Sequence, residues 1–208
     1  MKASTGNDEF SEEIIRKELA RTSHWLFSRR GPAFLEKLSH FFEHPIDLIE
    51  PYIQKGQVVT DLGCGWGQYS FALANLVGDD GMVLAIDLGN KCIDSIKKKI
   101  AKENIGNIKA YISSAAELDF IGDRSIDFVF ANGLLCSMAY ARQLAVNEIK
   151  RILKLSGKAY LSLGMAPPFG YVNRAEWESI MQGFTVERGG SFKEMWALIS
   201  LRQEVLSP

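Results

Sequence analysis

Val58-Val59-Thr60-Asp61-Leu62-Gly63-Cys64-Gly65-Trp66-Gly67-Gln68-Tyr69 is the most informative run of this chain. A β-branched apolar segment ends beside an acid, passes through three glycines and enters a helix-forming segment. Glycine permits a sharp turn and lets a ligand approach the backbone, because no Cβ intervenes. The helix beyond the turn offers unpaired N–H groups and the positive end of its dipole. Such a turn stands at the C-terminal edge of a parallel strand, where open α/β sheets place their ligands.

The patterns on either side agree with that placement. Gln57–Leu62 predicts a strand, and Tyr69–Val77 the helix after the turn. Gly81–Asp87 predicts a second strand and Asn90–Asn104 an amphipathic helix. Ile108–Ile112 and Ile126–Phe130 follow as strands, then a helix over about 139–153 and a fifth strand over Gly157–Leu163. Alternating strands and helices imply right-handed crossovers and a parallel sheet. The Pro167–Gly170 loop leads to a helix over about 174–181. Phe184–Arg188 and Met195–Arg202 then read as two strands separated by Gly189-Gly190-Ser191. The expected fold is α/β: a Rossmann-like, doubly wound, seven-stranded, mostly parallel sheet built from five α/β units and finished by an antiparallel C-terminal hairpin. Before the core, a helix starts near Ser11 and breaks at Gly31-Pro32; a second covers about 33–42 and a short one Ile46–Tyr52. We read 1–208 as one domain: a helical cover (1–52), a ligand-binding core (53–163) and a C-terminal helix and hairpin (164–208).

Spacing narrows the ligand. The dinucleotide fingerprint GxGxxG, counted from Gly63, needs its third glycine where Gln68 stands. The phosphate loop GxxxxGK[ST] also fails, because no Lys-Ser/Thr follows. Asp61, just before the turn, is a poor neighbour for pyrophosphate and a good one for a cationic amino acid. Asp87, at the tip of the second strand, is placed to accept hydrogen bonds from both hydroxyls of a ribose. The site thus offers an acid for an amino group, glycine backbone for a close-packed nucleoside and an acid for its sugar.

These residues resemble a known family. DLGCGWG followed by AIDL is similar to motif I and the downstream acidic strand of class I S-adenosylmethionine-dependent methyltransferases, especially the small-molecule, type 11 and ubiquinone-biosynthesis-like group. The resemblance runs from about Val58 to Leu163. It includes Ala115-Ala116-Glu117-Leu118, Ser125-Ile126-Asp127-Phe128-Val129 and Arg151-Ile152-Leu153-Lys154. It implies S-adenosylmethionine as cofactor and methyl transfer by in-line displacement. Asp61, Gly63 and Gly65 would line its methionine part, with Tyr69 beside them. Asp87 would hold the ribose and Leu88 pack on the adenine. Ala116 and Glu117 would border the adenine edge. Asn132 and Gly133 would contact the methionine end and face the acceptor. Two departures stand out: Ser114 occupies the position of an acid that often meets the adenine amino group, and Lys154-Leu155-Ser156-Gly157 replaces Lys-Pro-Gly-Gly.

Composition sets the remaining bounds. The chain has 208 residues, 47% hydrophobic and 24% charged, the balance of an ordinary globular domain. Its net charge of −1 predicts no broad basic face for nucleic acid. No apolar run approaches the roughly 20 residues that span a bilayer, so no membrane partner is expected. Cys64, Cys92 and Cys136 are scattered without a CxxC pair, which argues against disulfides and structural zinc and for a cytoplasmic setting. They invite comparison with thiol-dependent metalloid methyltransferases, yet ordinary packing suffices to explain them. His40-Phe41-Phe42-Glu43-His44 matches an inverted zinc-protease pattern, but Pro45 disfavours a helical His44, and no metal is expected.

The expected function is therefore transfer of a methyl group from S-adenosylmethionine to a small-molecule acceptor. The alternatives are methylation of a nucleic acid or protein, and a cofactor-binding module without catalysis. No catalytic residue is assigned. His24, Tyr69, Cys136, Tyr140 and Tyr171 are candidate bases near the expected mouth, and Trp25, Trp66, Tyr69, Phe169, Tyr171 and Trp196 candidate aromatic walls.

Overall fold

The computed structural model describes Glu13, residues 45–163 and residues 172–202. The N-terminal helices expected before residue 45, the His40–His44 pattern and the Pro167–Gly170 loop lie outside the described residues. So do His24, Trp25, Arg29, Arg30, Phe169 and Tyr171.

Helix α1 (Pro45–Ile49) runs into a short 3₁₀ turn, Glu50–Tyr52. The core then follows as β1 (Val58–Leu62), α2 (Gln68–Val77), β2 (Met82–Asp87), α3 (Asn90–Glu103), β3 (Ile108–Ile112) and β4 (Ile126–Ala131). It continues through α4 (Leu134–Ser137), α5 (Arg142–Ile152), β5 (Leu153–Ser162), α6 (Arg174–Gln182), β6 (Phe184–Gly189) and β7 (Trp196–Leu201). The strands form one seven-stranded sheet in the order β3-β2-β1-β4-β5-β7-β6. β1 to β5 pair in parallel, and β7 lies antiparallel between β5 and β6. The mostly parallel sheet with its antiparallel hairpin is the expected one. The order reverses at β1, between β2 and β4, which puts the glycine turn at the switch point of the sheet.

Side chains alternate across the sheet and seed a core on each face. On β4, Phe128 and Phe130 join Ile49, Leu73, Val77, Ile93 and Ile96 from α1, α2 and α3. Val129 and Ala131 join Val146, Ile149, Trp177 and Ile180 from α5 and α6 on the other face. Helices on both faces explain why β1 and β4 are buried along nearly their whole length. Lys97, Lys98 and Lys99 all face solvent on α3, as their position on an amphipathic helix predicts.

Two segments depart from expectation. Five α/β units require a helix after β3, but residues 113–125 contain neither helix nor strand. Ser113, Ser114, Asp119, Gly122 and Asp123 favour turns over helix there. Arg151 of α5 holds this crossover in place. Its guanidinium donates to the carbonyls of Leu118 and Ile121 at 2.9 and 2.8 Å and to Asp123 at 2.7 Å. Glu148 completes the clamp by pairing with Arg151 and accepting from Leu118 N at 2.9 Å. In the second segment, β5 begins at Leu153 rather than at Gly157. The register jumps from Ile126↔Leu153 to Phe128↔Lys158, so Lys154–Gly157 bulge out of the ladder. Lys154 Nζ pairs with Asp127 at 2.7 Å, and the other oxygen of Asp127 accepts from Val58 N at 3.0 Å. That acid ties the bulge to the start of β1.

Arg151→Met should release the 113–125 crossover while preserving apolar bulk. The expected loss is about 2 kcal/mol, given that hydrogen bonds to charged groups contribute roughly 1.5–3 kcal/mol each and this side chain is partly screened by water. Urea unfolding of the variant measures it, and an unshifted midpoint would show the clamp to be idle.

Candidate cofactor site

Gly63 and Cys64 extend the β1–β2 ladder, since both N–H groups donate to Ile86 O at 2.8 and 3.1 Å. The chain then turns sharply. Gly65 has φ +52° and donates its N–H to Asp87 Oδ2 at 2.9 Å. Asp87 Oδ1 accepts from Gly89 N at 2.7 Å. One carboxylate at the tip of β2 thus ties the turn after β1 to the turn that starts α3. Burial raises the Asp87 pKa, and the N–H groups of Gly89 and Gly65 pull it back.

The three glycines differ in what surrounds them. A Cβ at Gly65 would meet nothing within 4 Å, so the chain there borders open space. A Cβ at Gly63 would lie 3.0 Å from Leu134 Cδ1, across a narrow gap. At Gly67, φ is +83° and a Cβ would sit 2.9 Å from Ile96, which makes this glycine a packing requirement between α2 and α3.

A cleft opens between the tips of β1, β2, β3 and β4. Gly63, Ile86, Asp87, Leu88, Ser113, Ser114, Ala115, Leu134, Ser137 and Met138 line it. Of the residues singled out in the sequence, Gly63, Asp87 and Leu88 lie on this wall. Ala116 and Glu117 do not; the wall is formed by the three residues before them. Ala116 N instead donates to Ser114 Oγ at 3.1 Å, and Glu117 faces solvent. Leu134, Ser137 and Met138 carry no motif, so only the fold brings them here. Arg142, itself buried, holds their helix by donating from Nε to Leu135 O at 2.7 Å and pairing with Glu176 of α6.

Asp61, Tyr69, Asn132 and Gly133 form a second group, on the sheet face that carries α2. Asp61 is 2% exposed and accepts from Ser70 Oγ at 2.6 Å. The Tyr69 ring packs on Phe130, with centroids 5.1 Å apart. Burial raises the Tyr69 pKa, the Asp61 charge adds to the rise, and a hydrogen bond with Asn132 opposes it. Asn132 Oδ1 accepts from Ser162 Oγ at 2.6 Å, and Gly133 N donates to the same hydroxyl at 2.9 Å. Tyr160 stacks on Phe130, with centroids 5.2 Å apart. Ser162 and Tyr160 carry no sequence signal; their place beside Asn132 follows from the β4–β5 register.

The cysteines are free and buried. Burial pushes the Cys64 thiol far up and Cys92 up to about 11, with nearby Asp carboxylates adding to both rises. Burial also raises Cys136, whose thiol donates to Leu163 O. Of the candidate bases, Tyr140 is exposed. No cluster of three metal-ligating side chains occurs among the described residues.

A reversed-order α/β sheet with an acid before its glycine turn and a second acid on the neighbouring strand tip defines a nucleoside-binding α/β domain. Known proteins show what this domain is similar to. Residues 59–157 match the model of a methyltransferase domain. A demethylmenaquinone methyltransferase of Lactobacillus johnsonii is 32% identical over 133 residues, 64% of this chain and 53% of that protein. An arsenite methyltransferase of Halobacterium salinarum is 28% identical over 107 residues, 51% of this chain and 27% of that protein. The chain thus spans about half the length of the former and about a quarter of the latter. The crystal structure of a SAM-dependent methyltransferase from Aquifex aeolicus has the same fold: TM-score 0.63 at 21% identity, covering 82% of this chain and 97% of that one. Residues 59–157 thus carry a methyltransferase domain, and the chain is similar to S-adenosylmethionine-dependent methyltransferases in sequence and in fold.

Burial dominates the Asp61 carboxyl, pushing it from 3.8 to about 7; the Ser70 hydroxyl opposes the rise and Asp87 adds to it. The folded-state value lies above the unfolded one, so the folded chain holds an extra proton in the window between the two. Stability should therefore fall as pH rises through that window. Asp61→Asn removes this term, so its stability relative to wild type should improve between about pH 5 and about pH 8. Urea unfolding at both pH values tests it; a constant difference would mean that Asp61 is no buried acid of raised pKa.

Proposed function

We propose that this chain transfers a methyl group from S-adenosylmethionine to a small-molecule acceptor. The observation that carries the reading is the Gly65–Asp87 hydrogen bond at the mouth of the cleft. It keeps an anionic acceptor next to backbone that a nucleoside can approach. The fit to the cofactor is specific. Asp87 suits the ribose hydroxyls, and Leu88 and Ala115 offer apolar surface to a base. The open space at Gly65 leaves room for the chain that joins the sugar to sulfur. Asp61 suits the ammonium of the methionine tail, whose charge would draw its raised pKa back down.

When bound, S-adenosylmethionine supplies an already activated methyl group on a sulfonium. The protein's task is then to orient and to exclude water, and positioning alone is worth effective molarities of up to about 10⁵–10⁸ M. In our reading Asn132 and Gly133 border the methionine end and face the acceptor. Tyr69, beside Asp61 and Asn132, is the described side chain best placed to hold an acceptor hydroxyl. Trp66 and Tyr140, both about half exposed at 50% and 55%, add aromatic surface around the site. That surface favours an apolar or aromatic acceptor of the kind named for the demethylmenaquinone relatives. The arsenite relatives favour a metalloid, but the buried thiols with raised pKa described above are poorly prepared to bind one as thiolates. We take 1–208 as one domain acting in the cytoplasm; no helix among the described residues is long and apolar enough to cross a membrane.

Calorimetric titration with S-adenosylmethionine, S-adenosylhomocysteine and NAD tests the reading. The two adenosyl compounds should bind and NAD should not. Asp87→Ala should weaken S-adenosylhomocysteine at least about tenfold, since a hydrogen bond to a charged group is worth roughly 1.5–3 kcal/mol. Binding of NAD alone, or a folded variant with wild-type affinity, would overturn it.

A further inference from the structure

The polar group around Ser162 lies outside the cleft described above, and nothing in the motif accounts for it. Ser162 is 4% exposed at the end of β5. Its Oγ accepts from Gly133 N at 2.9 Å and donates its own proton to Asn132 Oδ1, 2.6 Å away. Tyr160, two residues earlier on the same face of the strand, stacks on Phe130 of β4 beside this group. The hydroxyl thus has both a donor and an acceptor partner, and it cannot rotate without losing a buried bond.

The consequence falls on Asn132. An amide side chain can present either oxygen or nitrogen, and the two ends have opposite hydrogen-bonding character. Ser162 takes the oxygen, which turns the NH₂ end away from β5. On that side Tyr69 packs on Phe130, two residues before Asn132, with Asp61 close by. A donor from Asn132 and an acceptor from Asp61 therefore stand on the same face. An α-amino acid group requires such a pair: a donor for its carboxylate and an acceptor for its ammonium.

We propose that Ser162 is a positioning residue that fixes the Asn132 amide with its NH₂ end outward, as the donor for the carboxylate of the cofactor's amino-acid tail. The proposal rests on the S-adenosylmethionine reading above and assigns Ser162 a task in it. It predicts a selective defect. Ligands with the tail depend on Ser162, and ligands without it do not.

The test compares S-adenosylhomocysteine, which has the tail, with 5′-methylthioadenosine, which lacks it, by calorimetry on the full chain. Ser162→Ala should weaken S-adenosylhomocysteine about tenfold, the size of one lost hydrogen bond. The affinity for 5′-methylthioadenosine should stay within about twofold of wild type. Asn132→Asp, which keeps an acceptor toward Ser162 but removes the donor, should show the same selectivity. Adding Ser162→Ala to Asn132→Ala should cost nothing more for S-adenosylhomocysteine. Equal weakening of both ligands in both single variants would reduce Ser162 to a structural role and overturn the proposal, as would no weakening at all. Failure of wild type to bind either ligand would instead overturn the cofactor reading itself. If Ser162→Ala does not fold by circular dichroism, Ser162→Cys, which keeps the side chain's shape but replaces the hydroxyl by a weak donor, decides the matter on the same criterion.

Discussion

The hydrogen bond from Gly65 N to Asp87 Oδ2 organises this molecule. It joins the tips of two parallel strands through one carboxylate, and the same carboxylate takes Gly89 N on its other oxygen. The bond exists only because β1 and β2 are neighbours in a register that pairs Leu62 with Ile86. It holds the glycine turn open, and the turn in turn delivers the chain into α2 through Gly67, packed against Ile96 of the neighbouring helix. Binding geometry and core packing are therefore parts of one arrangement.

The site that results has two sides. One is the cleft bounded by Asp87, Leu88, the Ser113–Ala115 segment and the helix that starts at Leu134. The other is the polar group on the face of α2, with Asp61 bonded to Ser70 and Asn132 to Ser162, beside the stacked rings of Tyr69, Phe130 and Tyr160. Gly63 lies between them, exposed at the end of β1. The division matches the chemistry of a nucleoside carrying an amino-acid tail, with an apolar wall and one acid for the first and paired donors and acceptors for the second.

The cleft leans on two arginines outside its lining. Arg151 holds the crossover that carries Ser113–Ala115, and Arg142 holds the short helix that carries Leu134 and Ser137. Each places a guanidinium on backbone carbonyls that would otherwise need water. This is how a crossover without a helix, and a helix of four residues, keep defined positions.

The glycine spacing, the two acids and the alternating apolar runs were local signals, and local signals are what a linear chain displays. They were enough for the parallel sheet, its closing hairpin and the acids at the strand tips. The count of five α/β units did not reveal that the crossover after β3 lacks a helix, because Arg151 satisfies the carbonyls of Leu118 and Ile121 from another element. The β5 boundary moved because Asp127, a strand away, pairs with Lys154 and stabilises a bulge. Ser162, Tyr160, Leu134 and Met138 were silent in the sequence for the same reason. Their roles come from strand register and from packing between segments about thirty residues apart. The chain alone determined which chemistry is offered at each strand tip; the tertiary structure decided which of those groups meet, because hydrogen bonds between strand ends depend on the order in which the strands assemble.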